Sequence, residues 1–146
     1  MTEILPQSGF IKENIHYFPL RVYYEDTDIG GVVYYANYLK FMERARSEML
    51  RKLGIDQKRM LEYNNLDDVS FVVRHAELDF KGSARYDDCL VITTQVIKLG
   101  GASIVMKQNV LKDGTSLVES IIKAAVIGQD GRAKRLPKAI AQKFKL

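Results

Sequence analysis

The apolar residues of this 146-residue chain change their spacing once, and that change limits the possible folds. Between residues 38 and 53 apolar side chains recur every three to four residues, which indicates one long amphipathic helix. Asn37 suits its N-cap and Gly54 the position just after its end. After residue 68 the apolar residues alternate instead, as they do in strands. We therefore predict an α+β fold in which a single long helix covers a sheet.

The strands should form one curled antiparallel sheet of about five strands, with the helix across its concave side. Paired glycines at 100–101 and the Asp113-Gly114 dipeptide are typical of hairpin turns. The predicted strands are residues 18–26, 69–80, 89–99, 102–112 and 115–128, and two further short helices are predicted over residues 57–63 and 137–144. Residues 1–16 lack a sustained period, so we expect a loosely ordered lead-in followed by a single domain over residues 17–146.

Composition excludes several classes of protein. One Cys and two His are too few for a disulfide or for the common zinc and iron–sulfur sites, so any metal site would have to use carboxylates alone. We predict no metal and no cofactor. The longest stretch without a charged residue is residues 29–39, far short of the roughly 20 residues of a membrane span. The N-terminus does not resemble a secretory signal, and we predict a cytoplasmic protein.

The charge is concentrated at the C-terminal end. The chain carries 22 basic and 18 acidic residues, and six of the basic ones follow Gly131 with no acid among them. Removing those six leaves 16 basic against 18 acidic residues, so the body is slightly acidic. Nucleic-acid binding is therefore not expected. The basic segment is either a solvated helix face or a weak contact for an anionic surface.

An acidic loop precedes the long helix. Glu25-Asp26-Thr27-Asp28 leads through Gly30-Gly31 to the start of the helix, where unpaired backbone N–H groups and a partial positive charge can hold an oxyanion. An ionised aspartate beside such donors would suit acyl transfer to water. The same pattern also fits an acidic loop that merely complements the helix dipole.

Several segments that run in order over residues 18–145 form a recognisable set of motifs. They are residues 22–35, Tyr38, residues 43–51, Phe71-Val72-Val73-Arg74, Ala84-Arg85-Tyr86-Asp87-Asp88 and Arg135-Leu136-Pro137-Lys138. In these segments the chain resembles the hotdog-fold acyl-CoA thioesterases. Within that family it is similar to the 4-hydroxybenzoyl-CoA thioesterases and, more closely, to the Tol–Pal-associated YbgC-type enzymes.

The resemblance implies a hotdog fold, two protomers joined into a continuous sheet, and active sites between protomers at the N-terminal end of the long helix. It implies that Asp28 is catalytic, either activating water or attacking the thioester carbonyl, and that the backbone N–H of Tyr35 polarises that carbonyl. YbgC-type enzymes often have His where Tyr35 stands, and a backbone donor is unaffected by that difference. The segment Gly30-Gly31-Val32 would border the acyl pocket.

Other residues are implied as substrate contacts or are candidates for them. Tyr34 and Tyr38 stand at the helix entrance, where aromatic packing is the alternative role. Coenzyme A phosphates require cations, for which Arg85, Arg135 and Lys138 are candidates. An ion pair with Asp87 or Asp88 is the alternative for Arg85. Ser103 is a candidate pocket residue.

The predicted function is hydrolysis of an acyl-CoA thioester by a homo-oligomer, dimer or tetramer. A thioester is already activated, so a carboxylate and oriented N–H donors can suffice without a metal. Two alternatives stay open. One is an acyl-ACP thioesterase, and the other is a non-catalytic acyl-binding or scaffold protein linked to the cell envelope.

Overall fold

A six-stranded antiparallel sheet and one long helix form the structure, a computed structural model that describes residues 2–145. The strands are β1 (Phe10–Lys12), β2 (Ile15–Arg21), β3 (Ser70–Phe80), β4 (Cys89–Leu99), β5 (Ser103–Lys112) and β6 (Thr115–Ile127). The helices are α1 (Asn37–Lys52), α2 (Gln57–Met60) and α3 (Lys138–Ala141). The strand order is β1-β2-β4-β5-β6-β3. The α+β architecture with one long helix is as predicted.

Helix α1 forms because its apolar residues fall on one face. Its buried side chains are Tyr38, Phe41, Met42, Ala45, Met49 and Leu50. Gly54 follows the helix with a φ of 78°, the left-handed conformation expected at that position. Ala36 rather than Asn37 is the N-cap, so the predicted cap is wrong by one residue. The Asn37 side chain instead donates from Nδ2 to the Asp26 carbonyl oxygen, over 2.9 Å.

The helix lies on the concave face of the sheet, closest to β2 and β4. Leu90, Ile92, Thr94 and Val96 of β4 point into the core, as their alternation predicts. A buried polar group also ties the helix to the sheet. Gln108, fully buried in β5, donates to the Met42 carbonyl oxygen at 3.0 Å and to Thr94 Oγ1 at 2.9 Å. This pairing fixes where α1 rests along the strands.

The prediction of a loose lead-in over residues 1–16 is wrong for residues 10–16. Two strands begin there, β1 and the start of β2, joined by a tight turn in which Glu13 and Asn14 both have positive φ. The three-residue β1 is too short to show a period in the sequence. His16 is 1% exposed, and its Nε2 donates to the Ser8 carbonyl oxygen at 2.7 Å.

The predicted strand over residues 18–26 also differs, because β2 ends at Arg21. Residues 24–26 form a short 3-10 turn in which the Asp26 carboxylate accepts from the Tyr23 N–H at 2.8 Å. The two short helices are shorter than predicted, at four residues each. No helix among residues 2–145 is long and apolar enough to cross a membrane.

Candidate active site

The acidic loop is a tight turn that displays one carboxylate. The Asp28 N–H donates to the Val32 carbonyl oxygen at 2.9 Å, and the Gly31 N–H donates to the Asp28 carbonyl oxygen at 3.0 Å. Gly31 has a φ of 78°, a conformation that favours glycine. The Gly30 N–H donates to Asp28 Oδ1 at 2.8 Å. The turn thus holds the Asp28 carboxylate in a defined position, exposed to solvent in the single protomer.

The two aspartates of this loop have different surroundings. Asp26 is half-buried, and its carboxylate and carbonyl oxygens accept hydrogen bonds from Tyr23, Tyr34 and Asn37. Its groups therefore maintain the loop and the start of α1. The carboxylate of Asp28 accepts only from Gly30 among the described residues. Asp28 is the carboxylate of the two that is available for chemistry.

The start of α1 offers backbone donors beside this loop. The Tyr34 N–H is taken by the Asp26 carbonyl oxygen at 3.0 Å. Within residues 2–145 no group accepts from the N–H of Tyr35 or of Ala36. Unpaired N–H groups at a helix start bind anions and oxyanions. The structure thus brings a free carboxylate and free donors into one short segment.

The loop over residues 83–86 packs against the candidate site. The Val33 N–H donates to the Ala84 carbonyl oxygen at 2.8 Å, and Val32 forms an isolated bridge with Arg85. The Ala84 N–H donates to the Tyr38 hydroxyl oxygen at 3.0 Å. Arg85 is therefore brought beside Val32 of the acidic loop.

The alternative ion pair for Arg85 is not found among the described residues. Asp87 instead pairs with Arg21 at 3.4 Å, and Asp88 with Lys112 at 3.1 Å. Burial alone would raise the pKa of Asp88, but the Arg85 N–H and the Lys112 ammonium outweigh it and hold that pKa below its usual value. Asp88 thus orders the loop through backbone and lysine contacts. The charge of the exposed Arg85 also lowers the pKa of Asp88, although the two side chains form no ion pair within 4.0 Å.

Aromatic side chains surround the helix entrance. The ring of Tyr35 lies 5.0 Å from that of Tyr34 and 5.9 Å from that of Phe80, while Tyr34 and Tyr35 remain exposed. Tyr38 is 3% exposed and packs against Phe41 and Phe80, and burial raises the pKa of its hydroxyl. Tyr38 therefore has the packing role that the sequence left as the alternative. Phe80 and Ala84 were not singled out from the sequence, because neither carries a reactive group.

The remaining candidates lie at the other end of the sheet. Strand β4 begins at Cys89, opposite Arg21 and close to the acidic loop, and ends at Leu99 after eleven residues. At about 3.3 Å per residue this separates the loop from the β4–β5 turn by roughly 35 Å. Ser103 and Arg135 lie at that turn, where the Leu136 N–H donates to the Gly101 carbonyl oxygen. A single protomer does not bring Ser103, Arg135 or Lys138 to Asp28.

The site has no metal-binding cluster, since residues 2–145 contain no group of three or more His, Cys, Asp or Glu suited to a metal ion. Cavities of about 260 and 310 Å³ lie along the C-terminal half of α1, and neither is lined by Asp28. The loop and the start of α1 thus form an open site in the isolated chain. Its chemistry is that of a carboxylate and backbone donors.

Comparison with known proteins agrees with this chemistry. Residues 30–119 match the Thioesterase superfamily. The chain belongs to the thioesterase superfamily. It is 44% identical to the acyl-CoA thioesterase YbgC of Haemophilus influenzae over 75% of this chain and 79% of that protein. It is 38% identical to the acyl-CoA thioester hydrolase YbgC of Escherichia coli over 88% of this chain and 94% of that protein.

Solved thioesterase structures share the fold. A probable thioesterase from Bartonella henselae is 41% identical and superposes with a TM-score of 0.80, covering 84% of this chain and 99% of that one. This thioesterase-superfamily chain therefore has the hotdog fold, as the sequence predicts. The family match begins two residues after Asp28, so the role of that aspartate rests on the geometry of the loop.

Proposed function

We propose that the protein hydrolyses acyl-CoA thioesters to a carboxylic acid and free coenzyme A. The names and extent of the YbgC relatives support the substrate class. The observation that carries the proposal is the free Asp28 carboxylate beside the unpaired N–H groups at the start of α1. The protein is a thioester hydrolase that uses these two features and needs no cofactor.

The reaction adds water across the C–S bond. The thioester carbonyl oxygen accepts from the Tyr35 N–H, and the positive end of α1 stabilises the negative charge that develops on this oxygen. Asp28 either removes a proton from the attacking water or attacks the carbonyl carbon itself. In both routes the C–S bond breaks, and the coenzyme A sulfur leaves as a thiolate and takes up a proton. In the first route the acyl group leaves directly as a carboxylate. In the second route it is held as a mixed anhydride with Asp28, and water then hydrolyses this anhydride to release the carboxylate and restore Asp28.

The active protein is a homo-oligomer that pairs through β3. This strand is at the edge of the sheet and hydrogen-bonds only to β6 among the described strands, so its outer edge can extend the sheet with a second copy. Antiparallel pairing of two β3 strands sets the Phe80 end of one protomer beside the Ser70 end of the other. Phe80 contacts Tyr35, so the second copy then covers the open site.

The second copy also accounts for the distant candidates. Ser70 pairs with Ile127, which bridges Ala133, so the Ser70 end of a protomer is the end that carries Ser103, Arg135 and Lys138. In the paired molecule these residues approach the Asp28 of the other copy. Arg85 of one protomer and Arg135 and Lys138 of the partner subunit are then placed to bind coenzyme A phosphates. The protein acts in the cytoplasm, where the other basic residues of its C-terminal segment are available for a weak anionic contact.

An assay of thiol release over a panel of acyl-CoA and acyl-ACP substrates tests the proposal. We expect saturable release of coenzyme A, faster than from acyl-ACP. Thiol release only from acyl-ACP would show that the substrate carrier is ACP rather than coenzyme A. Binding without turnover would indicate an acyl-binding or scaffold protein. Either result would overturn the proposed reaction.

A further inference from the structure

A groove separates α1 from the edge strand β3. Because α1 lies nearest β2 and β4, it leaves a cavity of about 260 Å³ on its other side. Its walls are Glu43, Arg46, Ser47 and Leu50 of α1 and residues 71–73 of β3, and its floor is Ile104, Met106 and Ala124. The groove is mostly apolar, with one cation and one carboxylate on the helix wall.

Strand β3 turns an apolar face toward this groove. Phe71, Val73, Ala76, Leu78 and Phe80 stand opposite the buried residues of β6, so they face the concave side. All five are nevertheless exposed or half-buried. Their polar neighbours His75, Glu77 and Asp79 occupy the opposite face, as the register with β6 shows. An apolar strip of this kind on an open strand edge is suited to a second copy of the chain.

Arg46 has no ion-pair partner among the described residues of the isolated protomer. Burial lowers the pKa of its guanidinium, and the charge of Glu43 in the same helix only partly offsets this effect. Its half-buried guanidinium donates from Nη1 to Gln108 Oε1 at 2.9 Å. No carboxylate of the described residues lies within 4.0 Å of it. Glu43, one turn earlier on the same face, is exposed and accepts from Ser47 Oγ at 2.9 Å. A partly desolvated cation is stabilised strongly by a nearby carboxylate. Arg46 can therefore gain stabilisation from a carboxylate at ion-pair distance, which the isolated protomer does not supply among the described residues.

The two charges are symmetrically placed along the helix. Strand β3 runs antiparallel to α1, since Phe80 contacts Tyr35 and Tyr38 while residues 71–73 lie beside its C-terminal half. A two-fold axis between two paired β3 strands, level with the middle of β3, is therefore also level with the middle of α1, and it sets the two helices antiparallel. Glu43 is six residues after Asn37, and Arg46 is six residues before Lys52. In a two-fold contact, residues so placed face each other reciprocally.

We propose that Arg46 of each protomer forms an ion pair with Glu43 of the partner subunit, twice across the two-fold axis. The two pairs set the register of the helices and close the groove, which completes the site that begins at Tyr35. This inference rests on the homo-oligomer proposed above, and it names the contacts that select one register of the edge strands.

A double-mutant cycle on self-association tests the ion pair. The dissociation constant of the dimer is measured by sedimentation of a dilution series for wild type, Glu43→Gln, Arg46→Gln and the double variant. Each single substitution should weaken the dimer by at least about tenfold, because it leaves two opposite charges without partners. The double variant should be no weaker than the weaker single variant. Arg44→Gln, an exposed position on the same helix, is the charge-matched control and should change the constant by less than about twofold.

The outcomes separate this inference from the proposed function. A dimer whose constant is unchanged in Glu43→Gln, or fully additive losses in the cycle, overturns the ion pair and leaves the thioesterase and its dimer standing. A wild-type protein that is monomeric at micromolar concentration overturns both the ion pair and the oligomer. Whether the protein hydrolyses thioesters is decided by the separate activity assay. Glu43→Gln also provides a variant in which the internal Arg46–Gln108 bond is kept, so a folding defect is not confused with a lost contact. Hexanoate tests whether the groove binds a small carboxylate instead. The proposal is wrong if hexanoate raises the melting temperature of wild type but not of Arg46→Gln, while the dissociation constant of the Glu43→Gln dimer equals that of wild type.

Discussion

At the scale of single residues, backbone geometry decides which groups of the acidic loop can react. Asp26 and Asp28 are two positions apart, yet one carboxylate is used to hold the loop and the other is displayed. The proposed oxyanion donors are likewise main-chain groups at the start of α1. The account therefore predicts that the Tyr35 side chain is replaceable and that its N–H is not.

Replacing Tyr35 tests this distinction. Tyr35→Ala keeps the donor and should retain kcat within about tenfold. Tyr35→Pro removes the N–H and should lower kcat by about 10²-fold to 10³-fold. The Tyr35 N–H has no acceptor among the described residues, so the proline removes no internal hydrogen bond. Steady-state kinetics with melting temperatures for both variants make the check, and equal activity of the two variants would refute the donor role.

A second single residue, His16, should make the free energy of unfolding depend on pH. Burial lowers the pKa of its ring. The hydrogen bond to Ser8 and the charge of Glu48 raise that pKa, but burial has the larger effect. The folded protein therefore holds a neutral ring while the unfolded chain takes up a proton below about pH 6.5, so the free energy of unfolding falls as the pH drops below that value. Urea unfolding at several pH values should show the loss in wild type and a smaller loss in His16→Gln. His75→Gln, at an exposed position, is the control.

At the scale of elements, the C-terminal end of α1 was more predictable than its N-cap or the N-terminal strands. The residue after the helix must adopt a positive φ, and only glycine does so without strain, so Gly54 could be recognised from its position. Strand β1 has three residues and is ordered by pairing with β2, a tertiary contact that leaves no period in the sequence. The position of Asn37 was also not predictable, because its side chain donates to the carbonyl oxygen of Asp26 eleven residues earlier, which is a tertiary contact.

The helix end provides a stability prediction. Gly54→Ala should lower the free energy of unfolding by about 1 kcal/mol or more, because an alanine is strained at a φ of 78°. An added Cβ meets only Lys143 Nζ at 3.4 Å, so the cost comes from the backbone rather than from a clash. Gly101→Ala, where an added Cβ meets Arg135 Nη1 at 3.9 Å and φ is not positive, should change stability little. Chemical denaturation of both variants would decide, and equal losses would contradict the conformational argument.

The candidate site was predictable in part. Asp28, Tyr35 and Arg85 could be named from their motif, and the structure places all three around one loop and one helix start. The positions of Ser103 and Arg135 could not be judged from the sequence, because a strand eleven residues long carries them to the far end of the sheet. Whether they join the site depends on a second copy, which is a property of surfaces rather than of motifs.

At the scale of the whole molecule, the proposed pairing through the open edge of β3 would link assembly to activity. Val73 lies on the apolar concave face of this strand and is 45% exposed, although it stands opposite the buried Ala124. Val73→Lys should dissociate the dimer, since a charge in an apolar contact is costly, and should lower thioesterase activity with it. Lys123→Glu, on the opposite face of the neighbouring strand, is a control for surface charge. Sedimentation and kinetics on the same samples make the comparison, and a fully active Val73→Lys monomer would contradict a site shared between copies.

The most direct test of the account is the turnover of Asp28→Asn with an acyl-CoA substrate, measured on protein whose melting temperature and oligomeric state match wild type. Asparagine keeps the shape and can still accept from the Gly30 N–H, but it can neither take a proton from water nor attack the carbonyl carbon. We expect kcat to fall by at least about 10²-fold, with Glu25→Gln in the same loop remaining within about twofold of wild type. A folded Asp28→Asn protein that turns over at the wild-type rate would contradict the central claim.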